Sequence, residues 1–76
     1  MTRLPSPTGE EIIKALSKIG FQPVSQRGSH VKLRHVDGRT TIVPIHKGES
    51  IGKGLTAKIL RDVDISKEEF LLLLSQ

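Results

Sequence analysis

The sequence predicts an α+β domain of order α-β-β-β-α with a short C-terminal helix. Its helices should cover one face of a three-stranded antiparallel sheet. Three observations predict this: a capping box ahead of helically spaced apolar residues, an Asp37-Gly38 step between two alternating segments, and further helical spacing after a glycine-rich loop. At 76 residues the chain is too short to divide, so it forms one domain over 8–76 behind a flexible N-terminal lead of residues 1–7.

The elements follow in order. Thr8-Gly9-Glu10-Glu11 fits a capping box, in which the Thr8 hydroxyl accepts from the Glu11 amide and the Glu11 carboxylate reaches back. Ile12, Ala15, Leu16 and Ile19 then recur at helical spacing, and Gly20 supplies the left-handed stop. Phe21–Gln26 reads as a short strand, and Pro23 confines it to a sheet edge because proline cannot donate to a ladder. Gly28 turns the chain into a second strand, His30–Val36, and Asp37-Gly38 closes a hairpin onto a third, Arg39–His46.

The hairpin register decides which side chains face the core, since a slip of one residue inverts a strand. A two-residue turn pairs Leu33 with Ile42 and exposes both Val43 and Ile45. A three-residue loop, Val36-Asp37-Gly38, pairs Val31 with Val43 and leaves only Ile42 outside. Burying one extra large aliphatic is worth about 1.5–3 kcal/mol, which favours the longer loop. The opposite face then carries His30, Lys32, Arg34, Thr40, Ile42, Pro44 and His46.

Lys47–Gly54 is a loop, and Leu55, Ile59 and Leu60 mark the second helix, ending near Arg61–Asp62. Ser66-Lys67-Glu68-Glu69 is a second capping box, opening a terminal helix with Phe70–Leu74. Five consecutive apolar residues cover the whole circumference of a helix, so one or two must point away from the core, either as an oily terminal turn tucked under loops or as a patch for a partner.

Composition narrows the function. Without cysteine there is no disulfide, thiolate nucleophile or Cys-based zinc site. No apolar run approaches the roughly 20 residues that cross a bilayer, and no signal-peptide core is visible, so a cytoplasmic protein without membrane contact is expected. Residues 27–61 hold eight of the 12 Lys and Arg and two of the eight Asp and Glu, a net of +6, together with all three His. Such a stripe is either the footprint of a polyanion, most often nucleic acid, or a solvated surface that keeps a small protein soluble, and the local pattern has to decide.

Within it, Gly28-Ser29-His30 leads into an outward row of His30, Lys32 and Arg34. Histidine takes and returns a proton near neutral pH, and adjacent cations hold a phosphate and its developing charge. RNA brings its own 2′-hydroxyl nucleophile, so this set needs no metal and no cofactor. His46 shares the face and can be a second acid/base, a phosphate contact or a bystander. His35 points coreward as a structural histidine. Asp37 and Glu49 alone cannot build the carboxylate cluster of a two-metal nuclease. Gly48–Lys53 is one residue short of a phosphate-binding loop and lacks its Ser/Thr, so a nucleotide site is excluded; Lys53 and Lys58 can still meet a nucleic-acid phosphate beside the free amides of the second helix.

Gly20-Phe21, Gly28-Ser29-His30, Val43-Pro44-Ile45-His46, the glycine-containing approach to the second helix and Ile65-Ser66…Glu69-Phe70 together resemble the HicA family of bacterial toxins, over about Thr8 to Phe70. That resemblance implies a fold similar to the double-stranded RNA-binding domain and an mRNA interferase activity that arrests translation. It implies that His30 is the essential histidine, and that a HicB-type antitoxin covers the active site. The expected activity is a metal-independent endoribonuclease acting on mRNA. His30 would be its acid/base, Lys32 and Arg34 would hold phosphate, and Ser29, His46, Lys53 and Lys58 would be further RNA contacts. The competing readings are a non-catalytic RNA-binding module and a regulator that docks an acidic protein.

Overall fold

The computed structural model describes residues 6–76 and has the expected α+β architecture. Its elements are α1 (Gly9–Ser17), β1 (Gln22–Arg27), β2 (His30–Arg34), β3 (Thr40–Pro44), α2 (Lys53–Val63) and α3 (Lys67–Ser75). The strands form one antiparallel sheet in the order β1-β2-β3. Among the described residues no helix is long and apolar enough to cross a membrane.

Both halves of the first capping box are present: Thr8 Oγ1 accepts from the Glu11 amide (3.2 Å), and Glu11 Oε1 accepts from the Thr8 amide (2.8 Å). The helix buries Ile12, Ala15 and Leu16, and Gly20 ends the segment at φ 101°. Gly9 is needed for a different reason. A Cβ there would lie 2.1 Å from the Pro44 carbonyl oxygen, because α1 starts directly against the end of β3.

The hairpin takes the three-residue loop. Val31 pairs with Val43 and Leu33 with Thr41, Gly38 sits at φ 100°, and the His35 amide donates to the Arg39 carbonyl (2.9 Å). Val31, Leu33 and Val43 are buried with Phe21, Phe70 and the inner faces of the three helices. β1 keeps its expected length but starts one residue later, at Gln22, whereas β2 and β3 are shorter than the sequence suggests. β2 ends at Arg34, since Val36 lies in the loop and is 97% exposed. β3 ends at Pro44, after which only the Ile45 amide still reaches back, to the Ser29 carbonyl (2.6 Å). β1 is exposed along its whole length, with a bulge at Val24; the helices cover β2 and β3 and leave this edge strand overhanging.

α2 begins at Lys53 and buries Thr56, Ile59, Leu60 and Val63, while Leu55 stands outside this stripe, 37% exposed. Thr56 can face the core because its hydroxyl donates to the Gly52 carbonyl (2.9 Å), leaving its methyl to pack. In α3, Ser66 Oγ accepts from the Glu69 amide (3.0 Å); Phe70 and Leu73 are buried, and Leu72, at 64% exposure, is the residue the apolar run cannot hide. Lys18 Nζ donates to the Leu73 and Gln76 carbonyls, both at 2.8 Å, closing the end of α3 where a cation suits the helix dipole. Residues 1–5 of the N-terminal lead lie outside the described residues. Pro7 is buried, and its carbonyl accepts from the Ile51 amide (2.7 Å).

Polar ties supplement this small core. Arg39 donates to the Val63 carbonyl and lies 5.1 Å from the centre of the Phe21 ring, joining the hairpin to the end of α2. Asp62 Oδ2 accepts from buried Thr41 (3.0 Å) and from Lys58 (3.0 Å). Burial alone would raise the Asp62 pKa; the Lys58 and Thr41 hydrogen bonds and the Lys58 and Arg61 charges outweigh it and hold the carboxyl below 3.8.

Gly9→Ala should therefore destabilise the domain by about 1–3 kcal/mol through the forced separation of α1 from β3, despite alanine's better helix propensity. An unchanged urea midpoint would contradict that packing. Asp62→Asn should lower stability at neutral pH. The contribution of a carboxyl with a depressed folded pKa is complete above its ordinary value of 3.8 and fades as pH falls through the folded value. Unfolding curves of the two proteins should accordingly converge only in strong acid.

Candidate nucleic-acid interface

Strand alternation builds the site. Val31 and Leu33 anchor β2 in the core, so His30, Lys32 and Arg34 project together from the other face, and all three are exposed. On β3 the opposing residues are Pro44, Ile42 and Thr40. On β1, Arg27 pairs with His30 and Ser25 with Lys32. Gly28 and Ser29 form the two-residue turn between Arg27 and His30, and Gly28 at φ 58° occupies the first central position, where such a turn favours glycine. Ser25, Arg27, His30, Lys32 and Ile42 together line an open depression of about 340 Å³.

The electrostatics follow from where the acids are. Asp37 accepts from Arg39 Nε (2.8 Å), Asp62 from Lys58, and Glu11 closes the capping box. The Arg39 backbone amide is the main cause holding the Asp37 carboxyl below its ordinary value, with the guanidinium beside it adding to the effect. None of these carboxylates lies on the open face. Among the described residues, the side chains of Arg27, His30, Lys32 and Arg34 have no hydrogen-bond or ion-pair partner. Among the described residues, the face carries three permanent positive charges around one histidine, with no carboxylate paired to them. The charge and donor pattern of such a surface is one that can accept phosphate oxygens.

The remaining candidates are distributed differently. Ser29 is half-buried in the turn, with its carbonyl taken by the Ile45 amide. His46 is exposed one alternation beyond Pro44, the partner of His30, and its carbonyl accepts from the Glu49 amide (2.8 Å) where the chain turns away. Lys53 is exposed in the first turn of α2, whose Gly52 cap provides no side-chain acceptor. Lys58 is engaged by Asp62 on the helical side of the sheet, so it belongs to a different surface from His30. His35 packs under the hairpin, its ring 5.2 Å from Phe21 and its Nδ1 accepting from the Asp37 amide (3.1 Å), a structural histidine as expected. No group of three His, Asp or Glu side chains among the described residues could hold a metal ion.

Arg27 and Ser25 are the site residues that sequence reasoning missed. The signal was present for Arg27: a two-residue Gly28-Ser29 turn sets the residues flanking it, Arg27 and His30, opposite one another.

The family model described as HicA toxin of bacterial toxin–antitoxin matches residues 9–65, which span α1, the whole sheet and α2. No curated protein matches the chain.

Because His30 is exposed and unpartnered, His30→Ala should change folding stability by no more than about 0.5 kcal/mol. Thermal unfolding of the variant would show a clear loss if the ring were instead part of the fold.

Proposed function

Since the chain belongs to the HicA toxin family of bacterial toxin–antitoxin systems, we propose that it is an endoribonuclease that cleaves mRNA and arrests translation, with His30 as the general acid/base. The observation that carries this reading is the unneutralised row of Arg27, Lys32 and Arg34 around His30 on an open sheet face. Such a face holds an RNA strand by its phosphates while leaving the imidazole free to reach a ribose. His30 takes the proton of the 2′-hydroxyl, the 2′-oxygen attacks the adjacent phosphorus, and a proton is returned to the departing 5′-oxygen. His46, one alternation past Pro44, is the group best placed to share the second transfer, and Ser29 supports the turn that presents His30. Lys32 and Arg34 hold the strand by its phosphates. No step calls for a metal.

The partner follows from the same surface. A HicB-type antitoxin that covers His30 denies RNA its site, and acidic side chains on it would meet the cations that otherwise bind phosphate.

His30→Ala should abolish cleavage of a single-stranded RNA while leaving its affinity nearly intact, and a 2′-deoxy strand should bind without being cut. Cleavage should persist in EDTA. Wild-type protein that binds RNA and never cuts it would instead be a non-catalytic RNA-binding module. Affinity should also fall with salt, with a log–log slope of about −2, from three cations at roughly 0.7 each on a single strand. A flat salt dependence would exclude a phosphate-gripping face.

A further inference from the structure

We infer that Arg27 is a catalytic residue of this site, holding the phosphate that undergoes attack, whereas Lys32 and Arg34 hold its neighbours. The inference rests on the ribonuclease reading above and assigns a role that the reading leaves open. It starts from the register. Arg27 and His30 are directly paired across the Gly28-Ser29 turn, so their side chains leave the same face with Cβ atoms about 4.5–5.5 Å apart. Lys32 lies two residues further along β2 and Arg34 four, which at about 3.3 Å per residue sets them roughly 7 and 13 Å from His30 along the strand. A base must sit within hydrogen-bond reach of the 2′-hydroxyl it deprotonates, and the phosphorus it activates is the next group along the chain. The cation beside His30 therefore meets the reacting phosphate, and the cation four residues away does not.

The chemistry of the side chain agrees with the position. A guanidinium presents a rigid fork of donors that matches two non-bridging phosphate oxygens, and it stays charged at any working pH. Arg27 has no carboxylate or carbonyl partner among the described residues, so binding a phosphate breaks no existing tie. Its neighbours Ser25 and Ile42 border the same depression and bring no competing negative charge. The negative charge that builds on the non-bridging oxygens during attack is what such a fork stabilises beyond its hold on the ground state.

The test separates binding from chemistry. Affinity is measured with a 2′-deoxy strand of mixed sequence, and cleavage with the matching RNA at saturating protein. Arg27→Ala should slow cleavage about 100-fold with a much smaller change in affinity, the loss typical of removing one donor to a developing oxyanion. Arg27→Lys should recover only part of the rate, and free guanidinium ion should partly rescue Arg27→Ala, which a merely structural arginine would not allow. Lys32→Ala should show the opposite balance, with affinity losing more than the saturated rate. If Arg27→Ala cleaves saturating RNA as fast as wild type, the inference is overturned and the ribonuclease reading stands. If wild type binds the deoxy strand and cuts no RNA, the ribonuclease reading itself has failed, and Arg27 is left without a reaction to serve.

Discussion

The register of the β2–β3 hairpin is the constraint on which the rest of the molecule depends. Two facing five-residue strands must bury Val31, Leu33 and Val43, and the three-residue loop with Gly38 at φ 100° is the connection that lets them do so together. A slip of one residue would turn Lys32 and Arg34 toward Phe21 and Phe70 and put Leu33 into water. The same alternation that fills the core therefore displays His30, Lys32 and Arg34. Core and site are the two faces of one ladder, and neither can be moved without the other.

Much of this was legible in the sequence because it is governed by local rules. The Thr8–Glu11 capping box, the Gly20 stop and the hairpin register each follow from residues within a few positions of one another. What escaped is governed by contacts made later. Leu55 and Ile59 have helical spacing, yet the buried stripe runs through Thr56, because a hydroxyl satisfied by the Gly52 carbonyl leaves threonine apolar enough for the core. Lys58 has the right charge for a phosphate, but Asp62, itself held by Thr41 of β3, draws it onto the helical layer. Arg27 was hidden behind a strand whose pattern is obscured by Pro23 and the Val24 bulge and which buries no residue of its own.

A chain this small has little core from which to stabilise an elaborate site, and the distribution of its acids reflects that economy. Asp37, Asp62 and Glu11 each satisfy a backbone amide or a cation that fixes an element in place. Lys18 and Arg39 do the same for the carbonyls ending α3 and α2. The charges that hold the fold are thus paired, and those on the open face are not. A face of unpaired like charges costs some stability through repulsion, tolerable here because β1 and the outer side of β2 are in full contact with water.

The open face also lacks something that single-strand readers commonly use. Both phenyl side chains, Phe21 and Phe70, are fully buried, so a base can stack only on the imidazoles of His30 and His46 or on an arginine plane. Ile42, half exposed opposite Lys32, is a large apolar group bordering the depression, and it has no donor or acceptor with which to tell one base from another. On the ribonuclease reading, affinity then comes chiefly from phosphates and shape. A phosphate-gripping face of that kind is open to many RNA strands. Control of such an enzyme has to act at the face itself, and a protein that supplies carboxylates to Arg27, Lys32 and Arg34 competes for the same donors as the RNA it excludes.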